Sequence, residues 1–150
     1  MRVIIQRVSQ ANVTVDDSIV SEISEGLLLL VGIEDADTKE DIDWLCRKIC
    51  KMRIFGDKNG NMNLSVVDVK GEVLVISQFT LHASTKKGNR PSFVKAAKPD
   101  FAEQQYEQFK QILSSYLGEE VQSGKFGADM KVSLINNGPV TILLDSKNKE

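Results

Sequence analysis

Cysteine, histidine and proline are all scarce in this chain. Its 150 residues include two cysteines, one histidine and three prolines. Cys46 and Cys50 are four positions apart in a helical pattern, but with His82 distant in sequence they supply too few ligands for zinc. We expect both cysteines to be small core residues, because free cysteine is commonly buried. No disulfide framework, metal site or cofactor is predicted.

Long apolar runs are also missing. The longest, residues 27–31, is far shorter than a helix that spans a bilayer, and no leader-like pattern follows Arg2. The hydrophobic fraction of 41%, the charged fraction of 27% and the net charge of −2 are ordinary for a folded domain. We therefore expect a cytoplasmic protein with no membrane partner.

The first third of the chain predicts strands followed by a helix. Apolar residues alternate over residues 2–15, and a second run at 19–23 follows a polar turn, which is typical of a hairpin or meander. The continuous apolar run 26–33 predicts a strand covered on both faces, and hence a central place in the sheet. Behind Thr38, apolar residues at helical spacing predict a helix over 39–51.

The rest of the chain predicts a hairpin, a second helix and several short strands. The Asn59-Gly60 pair predicts a hairpin, and Asp100 with Glu103 predicts the start of a second helix whose apolar stripe ends at Gly118. Strands are predicted at 53–55, 64–67, 72–79, 120–123, 130–135 and 140–144, with 64–67 paired to 72–79. Strands grouped in hairpins favour a single mixed α and β domain over residues 1–150. It would have a largely antiparallel, barrel-like set of strands with two main helices packed on it.

Two short segments interrupt strand-like runs with groups that can do chemistry. The first ends an apolar alternation with hydroxyl and amide groups, and the second puts a Gly-Pro dipeptide before another apolar run. They are Ser77-Gln78-Phe79-Thr80-Leu81 and Asn137-Gly138-Pro139-Val140-Thr141. Glycine supplies freedom in φ, and proline removes an amide donor and can adopt the cis isomer. Neither segment is typical of ordinary core.

A loop between the two helices concentrates positive charge. Residues 84–98 contain five basic side chains and no acidic one, in a chain whose overall balance is acidic. The basic residues are Lys86, Lys87, Arg90, Lys95 and Lys98. A solvated loop and a phosphate-contacting patch for a nucleic acid both fit this pattern.

Classical catalytic motifs are absent. The residues 56–60 lack the lysine and hydroxyl of a phosphate-binding loop, and no G-x-S-x-G occurs. If residues 72–79 continued as a strand, Thr80 and His82 would share one face, and a Thr-His nucleophile pair is conceivable. Nothing identifies the third group that would orient the imidazole. A general esterase that uses Thr80 and His82 therefore stands as one alternative, and a non-catalytic nucleic-acid-binding module as another.

The two segments together resemble the signature pair of D-aminoacyl-tRNA deacylases. Three further stretches resemble that family in the same order and at family-like spacing, so essentially the whole chain is covered. They are Met1-Arg2-Val3-Ile4-Ile5-Gln6-Arg7-Val8, Gly88-Asn89-Arg90-Pro91-Ser92-Phe93 and Ser123-Gly124-Lys125-Phe126-Gly127-Ala128-Asp129-Met130. The resemblance implies a deacylase-type fold.

The resemblance also implies an activity. Such enzymes hydrolyse the ester that links a D-amino acid to the terminal adenosine of tRNA, and they also act on the glycyl ester. Members are homodimers in which a cis Gly-Pro peptide reaches into the site of the other subunit. Gly138 and Pro139 would thus complete a pocket around Ser77, Gln78, Phe79 and Thr80. The Gly-Pro turn would form a wall of this pocket that excludes an L side chain.

Roles for other residues follow from the same resemblance. Arg7 would brace the Gly-Pro turn, while Phe126 and Met130 would line the adenosine pocket, with core packing as the alternative for both. Main-chain amides near Phe79 and Thr80 would stabilise the oxyanion. Thr80 would position substrate rather than attack it, although an acyl-enzyme route stays open. Lys86, Lys87 and Arg90 would contact the tRNA, the expected partner.

Overall fold

The N-terminal part of the chain forms three antiparallel strands in the computed structural model, which describes residues 1–150. The long strand β1 (Arg2–Val15) pairs with β2 (Ser18–Ile23) through its second half and with β3 (Gly26–Gly32) through its first half. Asp16 and Asp17, both at positive φ, make the tight turn between β1 and β2. The predicted N-terminal meander is confirmed.

Strand β3 lies in the middle of the main sheet, as its apolar run predicts. It pairs with β1 on one side and, in parallel, with β6 (Glu72–Ser77) on the other. At Gly26 a Cβ atom would lie 1.8 Å from the carbonyl oxygen of Glu72. Only glycine permits this approach of the two backbones.

Two helices cover one face of the sheet. Helix α1 (Lys39–Lys51) has the predicted bounds, and the Asp41 carboxylate accepts a hydrogen bond from the Thr38 N–H at 2.8 Å. Helix α2 (Pro99–Leu117) ends before Gly118, which is left-handed with φ 80°. The predicted second helix and its end at Gly118 are confirmed, but the helix begins one residue before Asp100, with proline at its first position and no side-chain cap.

The prediction that residues 64–67 pair with residues 72–79 is wrong. The short strands β4 (Phe55–Gly56) and β5 (Met62–Leu64) pair with each other around the predicted Asn-Gly hairpin. Strand β6 instead lies between β3 and β7 (Gln122–Ser123), parallel to both. Its apolar residues 73–76 are buried on both faces, which is typical of a parallel strand reached by a helical crossover.

The C-terminal strand is longer than predicted. The two strands expected at 130–135 and 140–144 form one strand, β8 (Lys131–Asp145), which runs antiparallel along almost the whole of β1. Its register shifts near Arg7, where Gln6 pairs with Thr141 and Val8 pairs with Asn136. The extra residues of β8 form a bulge on the sheet edge.

Two apolar clusters stabilise this arrangement. A cluster of 23 buried residues fills the space between the sheet and the helices, and seven others form a second core on the opposite face. The Ser21 hydroxyl donates a hydrogen bond to the carbonyl oxygen of Ser123 at 2.6 Å, which brings β2 against β7 and nearly closes the sheet. The predicted fold class, a largely antiparallel mixed sheet with two helices packed on it, is confirmed.

Both cysteines lie in the larger core, as predicted. Burial raises the pKa of the Cys46 thiol and raises that of Cys50 to about 11, so both are inert thiols. None of the helices is long and apolar enough to span a bilayer.

Candidate active site

The first signature segment leaves the sheet where β6 ends. The Gln78 N–H donates a hydrogen bond to the carbonyl oxygen of Val31 at 2.7 Å, which fixes the exit to the central strand. Residues Phe79–His82 then form a short 3₁₀ turn, hereafter the 79–82 turn, rather than the end of a strand. The Gln78 side-chain amide donates a hydrogen bond to the hydroxyl of Thr80.

The turn separates the side chains of the Thr80–His82 nucleophile pair that a continued strand would have allowed. Successive side chains of a 3₁₀ helix point about 120° apart, so residues two positions apart no longer share a face. His82 is buried, with 2% of its surface exposed, and its imidazole Nε2 has no hydrogen-bond partner. The expectation that the two side chains share one face of a strand is therefore wrong.

A cavity of about 670 Å³ opens beside this turn. Most of its lining is hydrophobic, and five of the residues predicted to be catalytic or substrate-binding contribute to it: Ser77, Gln78, Phe79, Phe126 and Met130. Thr80 does not line it. Such a volume is typical of small-molecule and cofactor sites. The cavity thus joins two stretches that are about fifty positions apart in the chain.

Aromatic rings form two walls of the cavity. Phe79 is 57% exposed, and its ring meets that of Phe93 edge-on with centroids 5.1 Å apart. Phe126 lies 5.8 Å from the ring of Tyr106, whose hydroxyl donates a hydrogen bond to the Val75 carbonyl oxygen at 2.7 Å. Burial raises the pKa of Tyr106, so this hydroxyl stays protonated. Phe126 therefore packs on the core and faces the cavity at once.

The position of Met130 depends on a glycine. A Cβ at Gly124 would lie 2.5 Å from Met130 Sδ and 3.0 Å from Ile76 Cδ1. The Gly124 N–H also donates a hydrogen bond to the Val75 carbonyl oxygen at 3.1 Å. The bare backbone at residue 124 lets the thioether pack closely over it and form part of the cavity wall.

The second signature segment lies in the bulge of β8, and it does not line the cavity of its own chain. The Gly138–Pro139 peptide bond is cis, and both residues are exposed. Arg7 holds the segment: its Nε donates a hydrogen bond to the Asn137 carbonyl oxygen at 2.9 Å, and Nη1 donates one to the Ile54 carbonyl oxygen. Gly138 has φ 126°, and a Cβ there would lie 2.5 Å from Arg7 Nη2.

The basic loop is exposed and tied at its base. Ser84 and Ser92 exchange backbone hydrogen bonds of 2.8 and 2.9 Å, which close the loop that carries Lys86, Lys87 and Arg90. None of these three basic residues forms an ion pair. The chain continues from the loop directly into Phe93 on the cavity wall.

Comparison with known proteins decides the family. Residues 4–145 match the model of the D-Tyr-tRNA(Tyr) deacylase family. The chain belongs to this family. Membership confirms the resemblance seen in the motifs and the expectation of an ester hydrolase.

Relatives of this family match over the full length. A D-aminoacyl-tRNA deacylase of Flavobacterium johnsoniae is 67% identical and one of Bacteroides fragilis strain YCH46 is 63% identical, each over 100% of both chains. Among solved structures, the c-Myc DNA Unwinding Element Binding Protein has a TM-score of 0.91 and 41% identity over 97% of this chain and 98% of its own. A probable eukaryotic D-amino acid tRNA deacylase has a TM-score of 0.82 and 18% identity over 95% and 97%, so it supports the fold.

Sequence reasoning missed part of this deacylase-family cavity. Its outer wall comes from the loop before α2 and the first turn of that helix, with Ala96, Ala97, Pro99 and Ala102 among the lining residues. The signal was a run of small residues between a basic loop and a helix, which by itself predicts nothing about a cavity. The role of Gly124 was also missed, since two of the three side chains packed around it, Ile76 and Val13, are distant in sequence.

Proposed function

We propose that this chain hydrolyses the ester bond of D-aminoacyl-tRNA, releasing the D-amino acid and tRNA, and that it also acts on glycyl-tRNA mischarged on tRNA(Ala). The observation that carries the proposal is the largely hydrophobic cavity at the end of β6, which Ser77, Gln78 and Phe79 line. Its size suits a terminal nucleoside with a small acyl group. The activity would serve chiral proofreading in the cytoplasm.

The 79–82 turn supports a mechanism without a strong base. The first N–H groups of a helix have no acceptor within it, and in this turn they belong to Phe79 and Thr80. Both can donate to the oxyanion that forms when water attacks the ester, each being worth about 3 kcal/mol in comparable sites. The vicinal 2′-hydroxyl of the tRNA would assist the water. The nearby imidazole, buried and unbonded to Thr80, supplies no general base for a threonine nucleophile.

The walls of the cavity suit the terminal adenosine. Phe126 presents a ring held against Tyr106, and Met130 presents a polarizable thioether. Unpaired bases of RNA commonly stack on aromatic side chains. We assign Phe126 and Met130 to binding of the adenine base, which would leave the ester near Gln78 and Phe79.

Chiral selection would come from a second subunit. Gly138 and Pro139 are exposed on the bulge of β8, held from below by Arg7, and they do not line the cavity of their own chain. In a homodimer they would complete the partner's cavity. Backbone carbonyl groups there can hold the substrate ammonium, while an L side chain would collide with the wall.

The basic loop would bind the tRNA strand. Lys86, Lys87 and Arg90 are exposed and free of ion pairs beside the cavity wall. Contacts of this kind with phosphates add affinity and salt dependence but little sequence preference.

The decisive experiment measures release of amino acid from matched D-tyrosyl-tRNA and L-tyrosyl-tRNA by the purified protein, with EDTA present and a control without enzyme. We expect rapid release from the D ester only. Equal cleavage of both esters would contradict chiral selection, and cleavage of simple activated esters without RNA would favour the general esterase.

The alternative of a non-catalytic nucleic-acid-binding module has one observation in its favour. The name of the solved relative with 41% identity says that it binds a DNA unwinding element. This alternative predicts retention of RNA or DNA on a filter with no ester cleavage in the same preparation. Cleavage of the aminoacyl ester by that preparation would rule out nucleic-acid binding as the complete function.

A further inference from the structure

The first residues of β1 lie against the 79–82 turn. Arg2 pairs across the sheet with Asp145 at the end of β8. Its Nε donates a hydrogen bond to Asp145 Oδ2 at 2.9 Å, and its Nη1 donates one to the carbonyl oxygen of Leu81 at 3.0 Å. One guanidinium thus connects the last strand of the sheet to the turn.

Two other contacts also hold this turn. The Gln78 N–H bonds to the Val31 carbonyl oxygen at 2.7 Å. Gly32 lies directly beneath, since a Cβ there would be 2.9 Å from Leu81 Cβ and 3.0 Å from the Gln78 carbonyl oxygen. The same Cβ would lie 3.2 Å from His82 Cδ2, so packing over Gly32 extends to the last residue of the turn, and Arg2 adds a hydrogen bond to the carbonyl oxygen of Leu81.

An arginine side chain is well suited to hold the C-terminal end of this turn. Carbonyl groups at the C-terminal end of a helix lack partners within it, and a cation there is favourable. A guanidinium offers several donors in one rigid plane, so it can bond Asp145 and Leu81 simultaneously, whereas lysine presents a single ammonium group. Burial alone would raise the pKa of Asp145, but hydrogen bonds from Arg2 and from the Lys147 N–H keep it below its ordinary value. The carboxylate is therefore ionised at any ordinary assay pH.

We propose that Arg2, oriented by Asp145, is a positioning residue that fixes the 79–82 turn and so aims the amides of Phe79 and Thr80 at the reacting ester. This inference rests on the proposed function. A displacement of about 1 Å at such a site can lower the rate roughly a hundredfold. Arg2 makes its contact with the outer end of the turn and is absent from the cavity wall, so its loss should lower kcat more than it changes KM.

The test is steady-state hydrolysis of D-tyrosyl-tRNA by the full chain and four variants. Arg2→Met should lower kcat about tenfold with KM within about twofold, Arg2→Lys should recover part of the loss, and Asp145→Asn should lower kcat in the same direction by less. Arg47→Met is the matched control, because Arg47 pairs with Asp43 at 3.1 Å on the exposed side of α1. We expect no change in its kcat.

Amide hydrogen exchange provides a readout independent of activity. Residues 77–85 should exchange faster in Arg2→Met and Asp145→Asn than in the wild-type protein, while α1 should be unchanged. If Arg2→Met does not fold, Arg2→Lys and Asp145→Asn decide by the same two measurements.

The outcomes separate this inference from the proposed function. A wild-type protein that fails to cleave the D ester overturns both. An active wild-type protein whose Arg2 variants keep full kcat, or lose no more than Arg47→Met, overturns the positioning role alone. A loss confined to KM together with a weaker salt dependence also overturns it, since that result identifies Arg2 as a phosphate contact.

Discussion

The two signature segments are held in the molecule by different means. The turn at 79–82 leaves a strand buried on both faces, and its backbone bonds to β3 and packs over Gly32. The bulge at Gly138 and Pro139 is exposed on the sheet edge, and the side chain of Arg7 reaches across to hold it. The first segment is therefore held mainly by backbone contacts with the core and by Arg2 at its Leu81 carbonyl oxygen, whereas the second is exposed between two paired stretches of β8 and is held by the side chain of Arg7.

The largest effect should come from crowding the exposed segment. In Gly138→Ala the new Cβ would collide with Arg7 Nη2, and an L residue at φ 126° is strained by about 1–3 kcal/mol. We expect kcat/KM for D-tyrosyl-tRNA to fall about a hundredfold with the fold retained. Deacylation assays and circular dichroism measure the two effects.

Gly60→Ala is the matched control for that change. Gly60 also has positive φ, 80°, but a Cβ there would meet nothing within 4 Å. It should lose about 1 kcal/mol of stability and no activity. Equal losses of activity in both variants would mean that Gly138 matters only for general stability.

The next largest effect should come from filling the cavity wall. In Gly124→Ala the new Cβ would lie 2.5 Å from Met130 Sδ, so the Met130 side chain would have to move. Methionine is flexible and can move into the cavity, so we expect KM to rise about five- to tenfold with a smaller change in kcat. Gly56→Ala, where a Cβ has open space, is the control. An unchanged KM in Gly124→Ala would contradict the proposed adenosine site.

The basic loop should give a moderate, salt-dependent effect. Replacing Lys86, Lys87 and Arg90 with glutamine should raise KM about threefold to tenfold at low salt and reduce its slope against log salt concentration. The same replacement of Lys39, Lys48 and Lys51, which are exposed on α1, changes the net charge equally. A similar effect of both triple variants would show that net charge, rather than this loop, governs binding.

The smallest effect is expected at Thr80. Its hydroxyl accepts a hydrogen bond from Gln78, and Thr80 does not line the cavity. Thr80→Ala should therefore lose about 1 kcal/mol of hydrogen-bond energy and lower kcat less than tenfold. Thr85→Ala in the exposed loop serves as the control. A loss of a thousandfold or more, or an acylated Thr80 detected by mass spectrometry, would establish the nucleophilic route instead.

Local patterns predicted local structure well in this chain. Helix α1 has its predicted bounds because Thr38, Asp41 and the spacing of apolar residues act within a few positions of one another. Strand β8 was divided into two in the prediction because Gly138 and Pro139 disrupt the local pattern. Its pairing with β1, more than 110 positions away, carries the strand through the bulge.

The candidate site was predictable in its members more than in its geometry. Motif resemblance selected Ser77, Gln78, Phe79, Phe126 and Met130, which do share one cavity. It could not exclude a Thr80–His82 pair, because alternation along a strand assumes that the strand continues. The close packing over Gly32 and the bond to Val31 end it at Ser77.

By itself, the sequence determined the family, the two helices, the central strand and the segments that carry chemical groups. These features depend on residue types and spacings within a few turns of chain. Tertiary structure alone decided that β6 pairs with β3, that residues 79–82 turn away from the sheet, and that Arg2 and Gly124 contact the elements around the cavity. Each of those outcomes requires contacts between residues about fifty or more positions apart, and local propensity carries no information about which distant partner a segment will meet.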